Sequence, residues 1–241
     1  MFPTPAPQHN PPPFAPPLVT PFGQQALTGH YATTYGPVRP TKGLGVAIIT
    51  VLWVEFATIL LNVAAAFDAQ RVVDDIDNYA RLDTSSINRL AEAENNVVAT
   101  GLLTLLVGFA AIILLAVWSN RVSHNAQNRG VIGLSPGLAA GGWFIPFANT
   151  VIPFIQLRRA AKPFIGATSV ITAWQVCFVW AALISRSGVR EVEEASTAFE
   201  LSGALTDHIS YLAFAAALFL GAAICATQSI TDIDRRVSTC A

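Results

Sequence analysis

Charged residues are scarce in this chain of 241 residues, where Asp, Glu, Lys and Arg together make up 12%. A soluble domain carries roughly 25% charged residues. Hydrophobic residues account for 53% of the chain, and the mean hydropathy is +0.50. So few ionic groups cannot cover the surface of a water-soluble protein of this length. The composition therefore excludes an ordinary soluble enzyme and indicates that lipid is the main solvent.

The sequence also lacks the marks of several other classes. A formal net charge of -1 and a pI near 6.4 do not give the basic excess of a nucleic-acid-binding domain. The three cysteines, Cys177, Cys225 and Cys240, form no CxxC pair, so neither a disulfide framework nor a zinc site is indicated. No HExxH or P-loop motif occurs. We therefore predict no enzyme, no metal site, no cofactor and no nucleic-acid partner.

Proline is concentrated in the first 42 residues, which hold eleven of the fifteen prolines and no charged residue before Arg39. Each proline removes an amide donor, so this stretch cannot propagate a helix or a sheet ladder. We predict a disordered, proline-rich cytoplasmic arm over residues 1–42, either a spacer or a segment that recruits a groove-bearing partner. The stretch lacks the charged start and apolar core of a secretory signal, so we expect the arm to be retained.

Four later runs are apolar over about 20 residues, the length that spans a bilayer. Continuous runs in lipid must be helices, because every backbone amide has to be satisfied within the segment. The fold class is therefore an all-α membrane protein, with a transmembrane domain over 43–230 and a cytoplasmic tail over 231–241. The four predicted transmembrane helices cover residues 43–67, 97–118, 164–185 and 209–230.

A fifth apolar segment, residues 137–157, is interrupted by Pro146 and Pro153. If it lies at the cytoplasmic interface or re-enters the membrane, both termini are cytoplasmic and nine of the fourteen basic residues lie inside. If it spans, only six of the fourteen lie inside. The positive-inside rule favours the first arrangement. We thus predict four spans, a proline-broken interfacial or re-entrant segment between the second and third, and short amphipathic helices capping the outer ends.

The polar residues within the predicted spans that we consider as site candidates are Glu55 and Asn62 in the first and Gln175 in the third. A carboxylate at mid-bilayer costs about 3 kcal/mol on insertion scales unless it is protonated or paired. Glu55 is therefore either a proton- or ion-handling group or a protonated side chain that hydrogen-bonds to Gln175 or to a backbone carbonyl. Both interpretations remain open at this stage.

The segment after the second span contains two motifs. Trp118, Arg121 and Asn125 form a W-x-x-R-x-x-x-N element, and residues 143–153 read WFIPFANTVIP. These motifs resemble the bacterial, mainly actinobacterial, membrane-protein family named domain of unknown function 4328. The resemblance covers residues 43 to 230 and implies a membrane architecture, with no established activity. The chain departs from the family pattern after Pro153, where residues 157–160 read LRRA instead of an acidic or Trp-bearing helix.

Basic residues of this region are expected to converge on the cytoplasmic face, where they either bind anionic headgroups, at about 1 kcal/mol each, or serve only to orient the spans. The candidate residues for contact with a headgroup or a partner are Trp118, Arg121, Asn125, Arg129, Trp143, Pro146, Asn149, Pro153, Arg158 and Arg159.

The sequence as a whole is most consistent with a structural, interaction or assembly component of the bacterial cytoplasmic membrane. Its expected partners are membrane lipid and a membrane protein or a second copy of the chain. The alternative is a small transporter or channel subunit that uses Glu55. A water-filled path to Glu55 would favour transport, whereas a dry and fully packed bundle would favour the interaction role.

Overall fold

Helices account for nearly all of the described structure. The computed structural model describes residues 37–79, 84–131, 134–145, 148–165, 168–187 and 198–238. The predicted arm lies outside these residues up to position 36. Within the described ranges there is no strand, which confirms the all-helical prediction. The helices are α1 (Lys42–Tyr79), α2 (Thr84–Gln127), α3 (Pro136–Gly141), α4 (Ile152–Ile165), α5 (Ser169–Ser187) and α6 (Ala198–Ser238).

Three of these helices are long and apolar enough to cross a membrane: α1, α2 and α6. They contain 38, 44 and 41 residues, and at a rise of about 1.5 Å per residue each exceeds the roughly 30 Å of a bilayer's hydrocarbon core. The apolar part of α5, Ser169–Ile184, is shorter. The prediction of several helices long and apolar enough to cross a membrane is confirmed for three, and four spans stay a prediction.

The long helices project well past the predicted spans at one end of the molecule. The expected separate, short amphipathic helix between the first two spans is wrong, because α1 runs without a break to Tyr79 and α2 already begins at Thr84. The corresponding expectation for the second outer loop falls mostly on residues 188–197, which lie outside the described residues. No glycine or proline follows Gly45 within α1, so nothing in the sequence interrupts the helix after Phe67. The apolar repeat that includes Val73 and Ile76 continues the buried face of the same helix.

The long helices pack in the order α2, α1, α6 and α5. α1 is antiparallel to α2, since Glu55 lies opposite Gly108, and antiparallel to α6, since Gly45 lies against Asp234. In the part of the chain described here, α2 and α5 make no extensive contact with each other. We call the end where α1 begins and α2 and α6 end the basal end, and the opposite end the distal end.

The residues between α2 and α5 fold beneath the bundle at the basal end. Ser135 caps the N-terminus of α3, where its Oγ accepts a hydrogen bond of 3.3 Å from the Leu138 amide. Two 3₁₀ turns follow, Gly142–Phe144 and Ala148–Thr150. Pro146, one of the two prolines predicted to break this segment, lies outside the described residues. The following helix, α4, packs against α2, α3, α5 and α6.

The segment between α3 and α4 is bonded to helices on both sides. On one side, Trp143 donates from Nε1 to Ser119 Oγ of α2 at 3.2 Å. On the other, Gln175 of α5 donates from Nε2 to the Thr150 carbonyl at 2.7 Å. The segment therefore bridges α2 and α5 in the basal half, where the two helices do not pack directly on each other.

Candidate functional site

The W-x-x-R-x-x-x-N motif places three side chains on one face of α2, because residues i, i+3 and i+7 lie above one another on a helix. Trp118 is fully buried and donates from Nε1 to Asp234 Oδ1 of α6 at 3.1 Å. Arg121 donates from Nη1 to the Pro40 carbonyl at 2.8 Å. This face of α2 therefore joins the chain that precedes α1 to the last turns of α6.

Asn125, the last residue of the motif, binds the main chain of Arg39 through both ends of its carboxamide. Its Oδ1 accepts from the Arg39 amide at 2.8 Å, and its Nδ2 donates to the Arg39 carbonyl at 2.9 Å. Asn125 itself is buried. A carboxamide carries one acceptor and two donors, so it can satisfy the amide and the carbonyl of one extended residue together. The side chain thereby fixes the path by which residues 37–41 enter α1.

Asp234 supports the same junction from α6. Its carboxylate lies against Thr41 and Gly45, and a Cβ added to Gly45 would overlap with it. The first amides of a helix lack backbone acceptors and form the positive end of the helix dipole, so a carboxylate placed there is stabilised. We refer to Trp118, Arg121, Asn125 and Asp234, together with residues 39–41 and Gly45, as the basal cluster.

Sequence reasoning missed Asp234 because the last residues were assigned to a tail from position 231. In the structure α6 continues to Ser238, and Ile233, Asp234 and Val237 are buried. The signal was present in the sequence: Ile230, Ile233 and Val237 form a helical apolar repeat that includes Asp234. An aspartate on the buried face of such a repeat indicates a polar partner inside the protein.

Aromatic rings hold the second motif in place. Phe154 is fully buried, and its ring centroid lies 5.4 Å from that of Trp143 and 5.3 Å from that of Trp174. The interplanar angles of 62° and 86° correspond to the edge-to-face geometry that aromatic pairs prefer. Trp143 and Pro153 are also buried. Trp143 and Pro153 therefore contact other parts of the protein and do not lie on its surface.

The residues proposed for headgroup or partner contact thus divide between interior and surface. Trp118, Asn125, Trp143 and Pro153 are buried. Arg121, Asn149 and Arg158 are half-buried, and Arg158 approaches Thr172 Oγ1 of α5 at 3.4 Å. Arg129 and Arg159 are exposed at the basal end.

The exposed basic residues of α4 oppose its buried apolar face. Phe154, Leu157 and Ala161 face the bundle, at the spacing of one helix face. Arg159 and Lys162 lie on the other side, exposed. The helix therefore presents its positive charge away from the protein core, as an amphipathic helix packed on a core does.

Glu55 is buried where α1 packs against α2. Its Oε1 lies so close to Gly108 that a Cβ there would be 3.0 Å away. Its Oε2 has no hydrogen-bond partner among the described residues. The Gln175 amide group is bonded to Thr150 instead, so the hydrogen bond between Glu55 and Gln175 that one interpretation invoked is wrong.

The other polar residues of the spans do not converge on Glu55. Asn62 lies nearly two turns further along α1, and its Oδ1 accepts from Thr100 Oγ1 of α2 at 3.2 Å. Gln175 of α5 donates instead to the Thr150 carbonyl in the segment between α3 and α4. Among the described residues, no three His, Cys, Asp or Glu side chains are grouped as metal ligands would be. Glu55 and Asn62 therefore belong to the α1–α2 contact, and Gln175 does not.

Comparison with known proteins identifies a family and no individual relative. No curated protein and no solved structure matches the chain. One family, described as Domain of unknown function (DUF4328), matches residues 81–235, the greater part of the chain. The matched region contains both motifs and Asp234, whereas Glu55 lies before it. The chain therefore belongs to this family of unknown function, as its motifs had indicated.

Proposed function

We propose that the protein is a multi-pass component of a bacterial cytoplasmic membrane in which α1, α2, α5 and α6 all cross the bilayer. α5 has 19 residues, about 28 Å of helix, which is close to the thickness of the hydrocarbon core. α6, against which α5 packs, is itself long and apolar enough to span. The basal end faces the cytoplasm in this proposal, since nine of the fourteen basic residues belong to it.

The proline-broken segment, in the same proposal, enters the inner leaflet between α2 and α5 and returns as α4 along the interface. Non-helical backbone at membrane depth is tolerated only where it is buried in protein. The hydrogen bonds from Trp143 to Ser119 and from Gln175 to Thr150 supply such a setting on both sides of the segment.

The function that these features support best is structural: a membrane interaction or assembly protein whose basic face contacts anionic lipid headgroups. The observation that carries it is the division of α4, with its apolar side in the core and Arg159 and Lys162 exposed. Basic side chains near an anionic membrane surface contribute about 1 kcal/mol each to lipid binding.

The proposal is tested by purification in mild detergent and mass spectrometry of the lipids that co-elute. The double variant Arg159→Gln/Lys162→Gln should retain less anionic lipid than the wild type. Arg71→Gln is the control, since it removes an exposed basic residue from the distal part of α1. Unchanged lipid content in the double variant would contradict the proposal. Arg159 and Lys162 would then serve only to orient the spans.

One observation favours a second candidate, a small transporter or channel subunit. Glu55 is buried in a span, and its Oε2 lacks a partner in the described ranges. Buried carboxylates within membranes are frequently proton- or ion-handling groups. Proton flux across proteoliposomes that Glu55→Gln abolishes would support this candidate, and flux that the variant leaves unchanged would contradict it. The family match, which excludes Glu55, makes it the second choice.

A further inference from the structure

A groove runs along the contact between α1 and α6 at the basal end. It has a volume of about 250 Å³ and is lined by Lys42, Val46, Ile49, Thr231, Asp234 and Arg235. Val46 is 59% exposed, and Lys42, Thr231 and Arg235 are exposed as well. The groove therefore opens on the outer surface of the helices rather than into the core.

The lining on α1 changes from charged to apolar along the helix axis, from Lys42 to Ile49. Lys42, Val46 and Ile49 follow one another on one face of α1 at i, i+4 and i+7. Ile49 lies about 10 Å further along the helix than Lys42, at roughly 1.5 Å per residue. Arg235 of α6 lies near Lys42, because the two helices are antiparallel with Gly45 beside Asp234. The basal rim thus carries two cations, and the deeper part is aliphatic.

The acidic residues in and beside the groove are Asp234 and Asp232. The Asp234 carboxylate accepts from Trp118 Nε1 and lies against the first turn of α1, so it is turned toward the protein. An adjoining surface is lined by Ile165, Asp232, Arg235 and Arg236. Asp232 lines that adjoining surface with Arg235 and Arg236, so the cations at the rim of the groove itself are Lys42 and Arg235. An anionic headgroup complements these two cations.

We propose that this groove binds an anionic phospholipid, with its phosphate between Lys42 and Arg235 and an acyl chain along Val46 and Ile49. The Thr231 hydroxyl is placed to donate a hydrogen bond to the phosphate or ester oxygens. The inference rests on the proposed function in one respect, that the basal end lies at a membrane interface. It goes beyond it in assigning one lipid to one groove, away from the exposed face of α4.

A bound lipid in this position would contact both α1 and α6, so it would stabilise their junction. Any ligand that binds only the folded state raises stability in proportion to the logarithm of its concentration over its dissociation constant. Binding can therefore be followed by thermal stability in detergent as well as by native mass spectrometry.

The experiment titrates the full chain in detergent with phosphatidylglycerol, with phosphatidylcholine, and with soluble glycerol 3-phosphate. Phosphatidylglycerol should bind and raise the melting temperature, phosphatidylcholine should bind more weakly, and glycerol 3-phosphate should have no effect. Two variants test the two ends of the groove. Lys42→Gln/Arg235→Gln removes the rim charges, and Val46→Trp fills the apolar part and keeps them. Each should weaken phosphatidylglycerol binding at least tenfold.

Arg71→Gln is the control, because it removes an exposed basic residue outside the groove and outside the basic face of α4, and it should leave this binding unchanged. Thr231→Val, close to isosteric, should weaken binding less than the double variant and guards against a folding defect in the others. Unchanged binding in both groove variants would overturn the proposal, as would equal binding of glycerol 3-phosphate, which would indicate a free-phosphate site.

The two proposals fail in distinguishable ways. If only Arg159→Gln/Lys162→Gln loses lipid, the groove assignment is wrong and the proposed function stands. If accessibility labelling places the basal end outside the cell, the proposed orientation is wrong, while the titration in detergent still decides whether the groove binds the lipid.

Discussion

The basal and distal halves of the molecule are held together in different ways. The basal half contains a core of 21 buried apolar residues, contributed by every described helix except α3 and joined by Leu134 and Trp143. In the distal half, among the residues described outside 80–83 and 188–197, two clusters of three buried residues each lie between α1 and its neighbours α6 and α2. On α2 the large side chains Leu102, Leu105 and Phe109 are all more than half exposed.

Lipid as solvent accounts for the exposed apolar side chains of α2. Apolar side chains gain little when they leave lipid for a protein core, so paired helices in a bilayer need few contacts. Non-helical backbone needs more contacts, because its amide and carbonyl groups must find hydrogen-bond partners inside the protein. The dense packing and the side-chain hydrogen bonds to main-chain atoms therefore lie where the chain leaves the helices, around residues 39–41 and 134–151.

The largest expected effect comes from the basal core. Phe154→Ala removes a fully buried ring that contacts three other aromatic rings, and should reduce the free energy of unfolding by about 3–5 kcal/mol. Phe109→Ala, on the exposed face of α2, is the matched control and should change stability little. Thermal unfolding in detergent measures both, and similar shifts in the melting temperature would contradict the comparison.

Two glycine substitutions test the close packing of the basal half at the start of α1. Gly45→Ala forces a methyl group against the Asp234 carboxylate and should cost about 1–3 kcal/mol. Gly43→Ala meets nothing within 4 Å and should be neutral or slightly stabilising, because alanine favours a helix. The difference between the two melting temperatures isolates the contact. Equal melting temperatures would show that Asp234 does not lie against Gly45.

Much of the helical architecture follows from the sequence, because uninterrupted apolar runs in lipid can form only helices. The ends of those helices do not. The first predicted span ended at residue 67, yet Asp68, Asp74 and Asp75 continue α1, since a helix of this length can extend from the bilayer into water. Charged residues therefore indicate where a helix leaves the membrane, but they do not indicate where the helix ends.

The motifs were found from sequence, but their partners were not. Asn125 and Arg39 are 86 residues apart and Trp118 and Asp234 are 116 apart, with no periodic relation that could link them. The lack of a partner for Glu55 Oε2 in the described residues is likewise a tertiary property, set by how α1 faces α2 at Gly108.

A third prediction concerns the entry of the chain into α1. Asn125→Asp keeps the acceptor for the Arg39 amide but removes the donor to its carbonyl, at a cost of about 1–3 kcal/mol. Residues 37–41 should then detach more readily. A cysteine at Val38 should react faster with a soluble thiol reagent in this variant, whereas Asn95→Asp, exposed near the distal end, should leave the rate unchanged. Equal labelling rates in the two variants would show that Asn125 does not hold residues 37–41 in place.

The smallest effect is expected in the distal half. Arg89 and Asp75 approach to 3.4 Å, with more than half of each side chain exposed. Exposed ion pairs contribute about 0.2–1 kcal/mol, so Arg89→Gln should lie at or below that range in thermal unfolding, and high salt should narrow the difference further. A loss comparable to that of Phe154→Ala would mean that the distal half is not the weakly held one.

The central claim is that α1, α2, α5 and α6 cross the membrane with the basal end in the cytoplasm, and accessibility labelling tests it most directly. Single cysteines are introduced as Arg159→Cys at the basal end and Glu94→Cys at the distal end, both exposed, in a chain whose own cysteines are replaced. An impermeant thiol reagent added to intact cells should label position 94 and should reach position 159 only after the membrane is opened. Labelling of position 159 in intact cells would contradict the account.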